Sequence, residues 1–134
     1  NSLVSEVCMN SIDNKNIQGI NDGSILLKFK NGSNAVINYF TNGSSDYSKE
    51  RVEVYLNKKT YIIDNYKSTY GCGDKYFKSI KNKYDKGHKT QFFNYIKSIK
   101  IGSPNLIETS QIFNSAEAAI SAIKSLKENS WVIL

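Results

Sequence analysis

The chain has 134 residues, of which 40% are hydrophobic, 22% are charged and one is proline, and its net charge is +6. This length is typical of one domain, and the composition excludes a disordered or collagen-like protein. No apolar run approaches the roughly 20 residues of a membrane-spanning helix, so we expect no membrane contact. Two cysteines and one histidine do not provide a disulfide framework or a Cys/His zinc site, which predicts a cytoplasmic protein without a bound metal.

The N-terminal third of the chain is predicted to form antiparallel strands. Leu3–Met9 is the opening strand, and Asp13–Asn16 is a turn. Ser24–Lys30 alternates between two faces, as a strand does. Asn31-Gly32 predicts a type I′ hairpin turn, because both central residues of that turn need a positive φ. Ala35–Phe40 is the return strand.

The middle of the chain predicts two more hairpins joined by short turns, which favour antiparallel pairing. Arg51–Leu56 has a period of two, so Val52, Val54 and Leu56 are predicted to face inward. The remaining predicted elements are a turn at Asn57–Lys59, a strand at Thr60–Asp64, and strands at Tyr66–Tyr70 and Lys75–Ile80 that pair across Gly71–Asp74.

The C-terminal third changes to a helical period. Asp85 is the predicted N-cap of the first helix, which Gly102 and Pro104 end. Ser110 is the predicted cap of the second helix. The apolar stripe of the first helix is His88, Phe92, Tyr95, Ile96 and Ile99, and that of the second is Phe113, Ala116, Ile120, Ile123 and Leu126. The apolar tail Trp131–Leu134 is either an edge strand or a plug against the core.

This order of elements predicts an α+β domain with an open, mostly antiparallel sheet and two C-terminal helices packed on one face. The other face of the sheet is a candidate subunit interface, because six tyrosines lie in or beside strands. The alternative is that these rings fill the edge of the core. The six are Tyr39, Tyr47, Tyr55, Tyr61, Tyr66 and Tyr70.

Positive charge is concentrated between Asp74 and Lys100, where eight lysines stand against two aspartates. Arg51 is the only arginine, and readout of nucleic acid relies on arginine, so we expect no nucleic-acid partner. The segment is either a solvated basic face or a surface that attracts an anionic small molecule.

Two polar stretches are candidates for ligand binding. Asp46–Arg51 enters a strong strand, and Asp85–Lys89 enters the first helix, whose N-terminus adds positive potential. The candidate substrate-binding residues in them are Lys49, His88, Tyr47 and Lys86. Alternatively, the first stretch is a solvated loop and the histidine only begins a helix. The chain has no complete catalytic constellation, and Gly71–Tyr76 is interpreted as a turn and not as a dinucleotide-binding loop.

Four segments together resemble the Gfo/Idh/MocA oxidoreductases, over Asp22–Leu134. They are the hairpin Asp22–Ser33, the strand Lys49–Val54, the run Asp85–His88 followed by Phe92, Phe93 and Ile96, and the last helix with Ala116, Ala119, Ile120 and Ser125-Leu126. Members of that family pair an N-terminal Rossmann domain with a C-terminal α+β domain that binds substrate and forms oligomers.

The resemblance implies that residues 1–134 are this second domain alone. The chain lacks the Rossmann glycines, the Glu-Lys-Pro motif and the Asp-x-x-x-His motif of the family, and its N-terminus is interpreted as a cut from a longer chain. The implied full-length enzyme uses NAD or NADP to oxidise or reduce a sugar, a sugar derivative or a polyol, and forms a homo-oligomer. The fragment alone is then expected to bind no cofactor, to contain no catalytic residue and to be inactive. The alternative is a free-standing basic α+β module that binds an anionic ligand.

Overall fold

The computed structural model describes residues 2–12, 21–81 and 83–134, so the predicted turn at Asp13–Asn16 lies outside the described residues. The described residues form two antiparallel four-stranded sheets and two helices. Both helices follow the seventh strand, which confirms the predicted α+β class with C-terminal helices. The elements are β1 (Val4–Ser11), β2 (Gly23–Phe29), β3 (Asn34–Tyr39), β4 (Arg51–Leu56), β5 (Lys59–Asp64), β6 (Ser68–Cys72), β7 (Ser79–Lys81), α1 (His88–Ile101), α2 (Thr109–Glu128) and β8 (Val132–Ile133).

The elements divide into two compact units. Unit 1 combines Asn1–Gly43 with Pro104–Leu134 and contains β1, β2, β3, α2 and β8. Unit 2 is Ser44–Ser103 and contains the other four strands and α1. Unit 1 is therefore built from two separate parts of the sequence, and unit 2 is one continuous segment between them.

The sheet of unit 1 has the strand order β3-β2-β1-β8. On β1, Val7 pairs with Leu27 of β2 on one side and with Val132 of β8 on the other. The apolar tail of the sequence is thus an edge strand, the first of its two predicted alternatives. The core lies where α2 covers this sheet and is centred on Val7, Ala122 and Val132.

The buried face of α2 agrees with the predicted stripe at Leu126 and differs from it elsewhere. Ala118, Ala122 and Ser125 are buried, whereas Phe113 and Ile120 of the predicted stripe are 70% and 74% exposed. Small side chains let the helix backbone approach β1 closely, and polar side chains of α2 then bond directly to the strand.

Two side chains of α2 make these bonds to β1. The Asn114 amide accepts a hydrogen bond from the backbone N–H of Val4 at 2.7 Å and donates one to the Val4 carbonyl at 3.0 Å. The Ser125 hydroxyl accepts from the backbone N–H of Met9 at 3.0 Å and donates to the Ser130 carbonyl at 2.6 Å. Asn114 and Ser125 thus satisfy backbone groups of Val4, Met9 and Ser130, and a large apolar side chain at either position would leave its partners without these hydrogen bonds.

The sheet of unit 2 has the strand order β4-β5-β6-β7 and contains two tight turns with unusual backbone. Asn57 and Lys58 both have positive φ (49° and 60°), as do Asn65 and Tyr66 (50° and 53°). These are the values that type I′ turns require. The turn predicted to be type I′ is different: the hairpin from β2 to β3 closes with a bond from the Phe29 N–H to the Ser33 carbonyl, so its loop has three residues.

The predicted inward face of β4 is wrong, since Val52, Val54 and Leu56 are 43%, 45% and 46% exposed. The reason is that α1 does not pack extensively against β4, so this face of the strand has no covering layer within unit 2. The predicted stripe of α1 is also largely exposed: Phe92 and Ile99 are 67% and 60% exposed. Unit 2 thus presents much more apolar surface than its sequence pattern predicts.

Candidate functional site

The helix α1 begins directly after a short polar turn, and two of the four candidate residues lie here, Lys86 in the turn and His88 at the start of the helix. Gly87 precedes the helix with φ of 78°, a left-handed conformation that glycine adopts without strain. Asp85 is not the N-cap as predicted. Its carboxylate accepts a hydrogen bond from the Gly87 N–H at 2.8 Å and so shapes the turn before the helix. The first turn of α1 contains no acidic residue, so its free N–H groups keep their positive potential.

An ion pair joins this turn to the other singled-out stretch. The Lys86 ammonium lies 3.0 Å from a carboxylate oxygen of Glu50, in the segment that enters β4. It also lies 5.9 Å from the centre of the Tyr66 ring. The hydrogen bond to Glu50 raises the pKa of Lys86 above its ordinary value. The structure therefore brings the two stretches together through Lys86 and Glu50.

The other candidate residues lie next to this pair in sequence and are exposed. Lys49 precedes Glu50, and His88 follows Lys86 by two residues. Both have exposed side chains, as does Tyr47, which is 68% exposed. Of the four candidates, Lys86 alone has a recorded side-chain bond to the opposite stretch among the described residues. Glu50 is the residue that sequence analysis missed, and no local pattern distinguishes it from other surface glutamates.

The chemistry available at this site is hydrogen bonding and charge. Ammonium, imidazole and phenol groups can hold hydroxyls, phosphates or carboxylates of a ligand. Within the described residues, no group of three His, Cys, Asp or Glu side chains is placed to hold a metal ion. The predicted turn at Gly71–Asp74 is wrong in its bounds, since Gly71 and Cys72 belong to β6 and residues 73–78 form the connection to β7. This connection joins two antiparallel strands and does not fit a dinucleotide, which needs a strand followed by a helix.

A second polar cluster that sequence analysis missed is centred on Asp74. Its side chain is 8% exposed and lies 2.9 Å from the Lys59 ammonium. It also accepts hydrogen bonds from the Tyr61 hydroxyl and, at 2.9 Å, from the Tyr76 N–H. These bonds, the one from Tyr61 above all, hold the pKa of Asp74 far below its ordinary value. The signal in the sequence was an aspartate directly after a turn glycine.

This cluster predicts a specific dependence of stability on pH. Because the folded state lowers the pKa of Asp74, the carboxylate stabilises the fold above its unfolded pKa of about 3.9, and this contribution is lost as the pH falls below that value. We expect Asp74→Asn to lower the urea midpoint at pH 7, and the difference from wild type to shrink by pH 3. The exposed Asp46 provides the control, because Asp46→Asn should leave the midpoint unchanged at both values. If the urea midpoints of Asp74→Asn and wild type differ equally at pH 7 and pH 3, the Asp74 carboxylate does not stabilise the fold through its lowered pKa.

A further polar row lies on β4, adjacent to the site. The Glu53 carboxylate accepts hydrogen bonds from the Tyr55 hydroxyl and from Arg51, whose Nη2 lies 2.6 Å away. The bonds from Tyr55 and Arg51 lower the pKa of Glu53. The row neutralises the only arginine of the chain. The other basic residues of this unit are all lysines, of which Lys59 and Lys86 are also paired with carboxylates.

The face of the unit 1 sheet opposite α2 carries a shallow groove. Its volume is about 380 Å³, and Leu26, Val36 and Trp131 contribute apolar lining. At its side, the Lys28 ammonium lies 2.8 Å from Glu6 and 4.3 Å from the centre of the Trp131 ring. Because Leu26, Val36 and Trp131 remain 41%, 57% and 40% exposed, this face offers apolar contact area to a partner.

Comparison with known proteins gives similarity at the level of structure. No protein-family model matches the chain, and no curated protein matches it significantly. A protein from Desulfitobacterium hafniense, provisionally described as an NADPH-dependent oxidoreductase, is similar over 98% of this chain with a TM-score of 0.72 and 15% identity. The WlbA dehydrogenase from Bordetella pertussis, in complex with NADH and UDP-GlcNAcA, is similar over 98% with a TM-score of 0.51 and 13% identity.

At these identities the similarity shows a shared fold. This chain spans 42% of the length of the first protein and 39% of that of the second. Neither helix in the described part of the chain is long and apolar enough to cross a membrane.

Proposed function

We propose that the chain is the substrate-binding and subunit-contacting part of a cytoplasmic NAD(P)-dependent oxidoreductase that acts on a sugar, a sugar derivative or a polyol. The observation that carries the proposal is the fold likeness, which extends over 98% of the chain to a protein described as NADPH-dependent and to a dehydrogenase crystallised with NADH. The motif resemblance points to the same class of enzyme. In this proposal residues 1–134 act as one C-terminal domain, and the nicotinamide site and the acid–base residues lie in another part of the enzyme.

Within the proposed enzyme, Lys49, His88, Tyr47 and Lys86 form one wall of the substrate pocket. The support is the 3.0 Å ion pair between Lys86 and Glu50, which fixes the turn before α1 against the strand entry that carries Lys49. Hydrogen-bond donors at these positions suit a substrate rich in hydroxyl groups. A sugar with a carboxylate or phosphate would gain charge-assisted bonds as well.

The subunit contact is proposed on the open face of the unit 1 sheet. That face lies opposite α2 and exposes Leu26, Val36, Trp131 and Ile133, of which Ile133 is 82% exposed. Burying such side chains against a second copy removes apolar area from water. A contact of a patch with its own copy also gives the two-fold symmetry of most homo-oligomers.

The proposed function is tested with the intact product of the gene. We expect the reading frame that contains this chain to encode a glycine-rich nucleotide-binding part as well. The purified product is then expected to reduce NAD or NADP when it oxidises a sugar, polyol or nucleotide-linked sugar, or to oxidise NADH or NADPH when it reduces the corresponding carbonyl compound. Either reaction changes the absorbance of the reduced coenzyme. A start codon directly before Asn1, or a product that does not bind either coenzyme in a fluorescence titration, would refute the proposal.

A further inference from the structure

The two units carry very different charge. Unit 2 has thirteen basic and six acidic residues, a net charge of +7, whereas unit 1 has a net charge of −1. Three of the six acidic residues are already paired with cations of the same unit: Glu50 with Lys86, Glu53 with Arg51 and Asp74 with Lys59. The positive potential of unit 2 is therefore largely uncompensated, and it attracts anions.

The unpaired charge is densest beside β7. We use the name basic strip for Lys75, Lys78, Lys81 and Lys83, which are all exposed. No acidic residue lies between Lys75 and Tyr84 in the sequence. Lysines on an edge strand also discourage pairing with another chain, but that role leaves the aromatic residues of this segment unexplained.

Tyr76 lies between Lys75 and Lys78 in the sequence and is almost fully exposed. Its side chain is 97% exposed, and Tyr84 at the other end is 50% exposed. An isolated tyrosine in open water gains nothing for the fold, whereas tyrosine is among the residues that contribute most to binding. Its flat ring is a surface on which an aromatic base can stack.

The backbone beneath Tyr76 is fixed before any ligand arrives. Its N–H donates to Asp74 at 2.9 Å, and Asp74 is held by Lys59 and Tyr61. The neighbouring Gly73 has φ of 75°, and a Cβ atom there would lie 2.7 Å from the Lys58 carbonyl oxygen. A turn that is already ordered loses less entropy on binding than a flexible loop does.

We propose that the basic strip and Tyr76 bind a nucleotide, with lysines on its phosphates and the tyrosine ring on its base. The basic strip contains no arginine, the residue on which readout of nucleic acid relies. Because stacking tolerates any base, no preference between UDP and ADP is expected. The proposal rests on residues other than Lys49 and His88, so it does not depend on the proposed oxidoreductase function.

The test is a titration of the 134-residue chain, followed by amide chemical shifts, with UDP, uridine and inorganic pyrophosphate as separate probes. UDP is expected to bind more tightly than pyrophosphate by roughly 5- to 150-fold, the range expected for one stacked base. Uridine alone should bind at least tenfold more weakly than UDP. The shifts should centre on residues 74–84 and weaken with added salt.

Three variants sharpen the test. Tyr76→Ala should lower the affinity for UDP to that for pyrophosphate. The double variant Lys75→Glu with Lys78→Glu should bind neither UDP nor pyrophosphate. The control pair Lys124→Glu with Lys127→Glu, in α2 of unit 1, should leave binding unchanged. The proposal is overturned by equal affinity for UDP and pyrophosphate, by an unchanged affinity in Tyr76→Ala, or by an equal loss in the control pair. A twelve-nucleotide single strand that binds 100-fold more tightly than UDP would also overturn it, because the ligand would then be a polymer.

Discussion

Replacing Val36 by lysine is expected to dissociate the proposed oligomer. Val36 is 57% exposed on the open face of the unit 1 sheet, so Val36→Lys should change the stability of the monomer by less than about 0.5 kcal/mol. In a two-fold contact, each subunit would then bury one unpaired ammonium, at about 3–5 kcal/mol each. Sedimentation equilibrium should show a dissociation constant raised at least 100-fold.

Two further variants decide whether the open face is responsible. Ser115→Lys adds the same charge at an exposed position of α2, on the other side of the sheet, and should leave association unchanged. Ile120→Lys tests the other exposed apolar surface of unit 1, since Ile120 is 74% exposed on α2. If Ile120→Lys dissociates the oligomer and Val36→Lys does not, the contact lies on α2. A wild-type chain that remains monomeric at about 100 μM would contradict the whole assignment.

Lys49→Ala and His88→Ala are each expected to lower kcat/KM of the intact enzyme by about 10- to 100-fold. That range corresponds to the loss of one hydrogen bond with a charged partner, about 1.5–3 kcal/mol. Neither residue contributes to a core, because both side chains are exposed. The thermal midpoint should therefore remain within 1–2 °C of wild type, since surface changes alter stability by less than about 0.5 kcal/mol.

The matched control for this pair is Lys97→Ala on α1. Lys97 is exposed and lies more than two helical turns from His88 on the same helix, so its substitution should leave kcat/KM within twofold. Lys86→Ala is expected to act indirectly, because it breaks the ion pair with Glu50 that joins the two stretches. If Lys49→Ala and His88→Ala both turn over substrate at the wild-type rate, these residues do not line the pocket.

Local pattern was sufficient to predict most strands. The period of two over Arg51–Leu56 gave the bounds of β4 as the structure has them, and the tail at Trp131–Leu134 includes β8. The β4 prediction succeeded because alternation along an extended chain is a property of a few neighbouring residues. The tail does not alternate, and its sequence left open whether it is an edge strand or a plug. The helix ends were less accurate, since Gly87 and Glu108 occupy the cap positions predicted for Asp85 and Ser110.

Burial could not be predicted from the same pattern, because it depends on what lies opposite each face. The α2 stripe was chosen from its largest apolar residues, but the strand it covers accepts small ones, with Asn114 and Ser125 bonded to its backbone. The inward face predicted for β4 has no covering element in unit 2 that buries it.

The candidate site was predictable as two separate stretches and not as a contact. Lys86 and Glu50 are 36 residues apart in sequence, and a pair at that separation has no local signature. The same holds for Asp74 and Lys59, which lie fifteen residues apart. Sequence analysis can name the charged residues of such a site, but only the fold determines which charges neutralise each other.

The division of unit 1 into two sequence segments affects how the chain folds as it is synthesised. Residues 44–103 are contiguous, so all four strands of the unit 2 sheet are available for pairing once this segment has left the ribosome. Unit 1 must wait, because Glu6 of β1 pairs with Ile133 of β8 and the covering helix begins at Thr109. Closing so long a loop is slow. During that interval the apolar side of β1, with Val7 at its centre, has no cover. A nascent chain stalled before α2 therefore exposes this apolar side of β1 to chaperones and proteases.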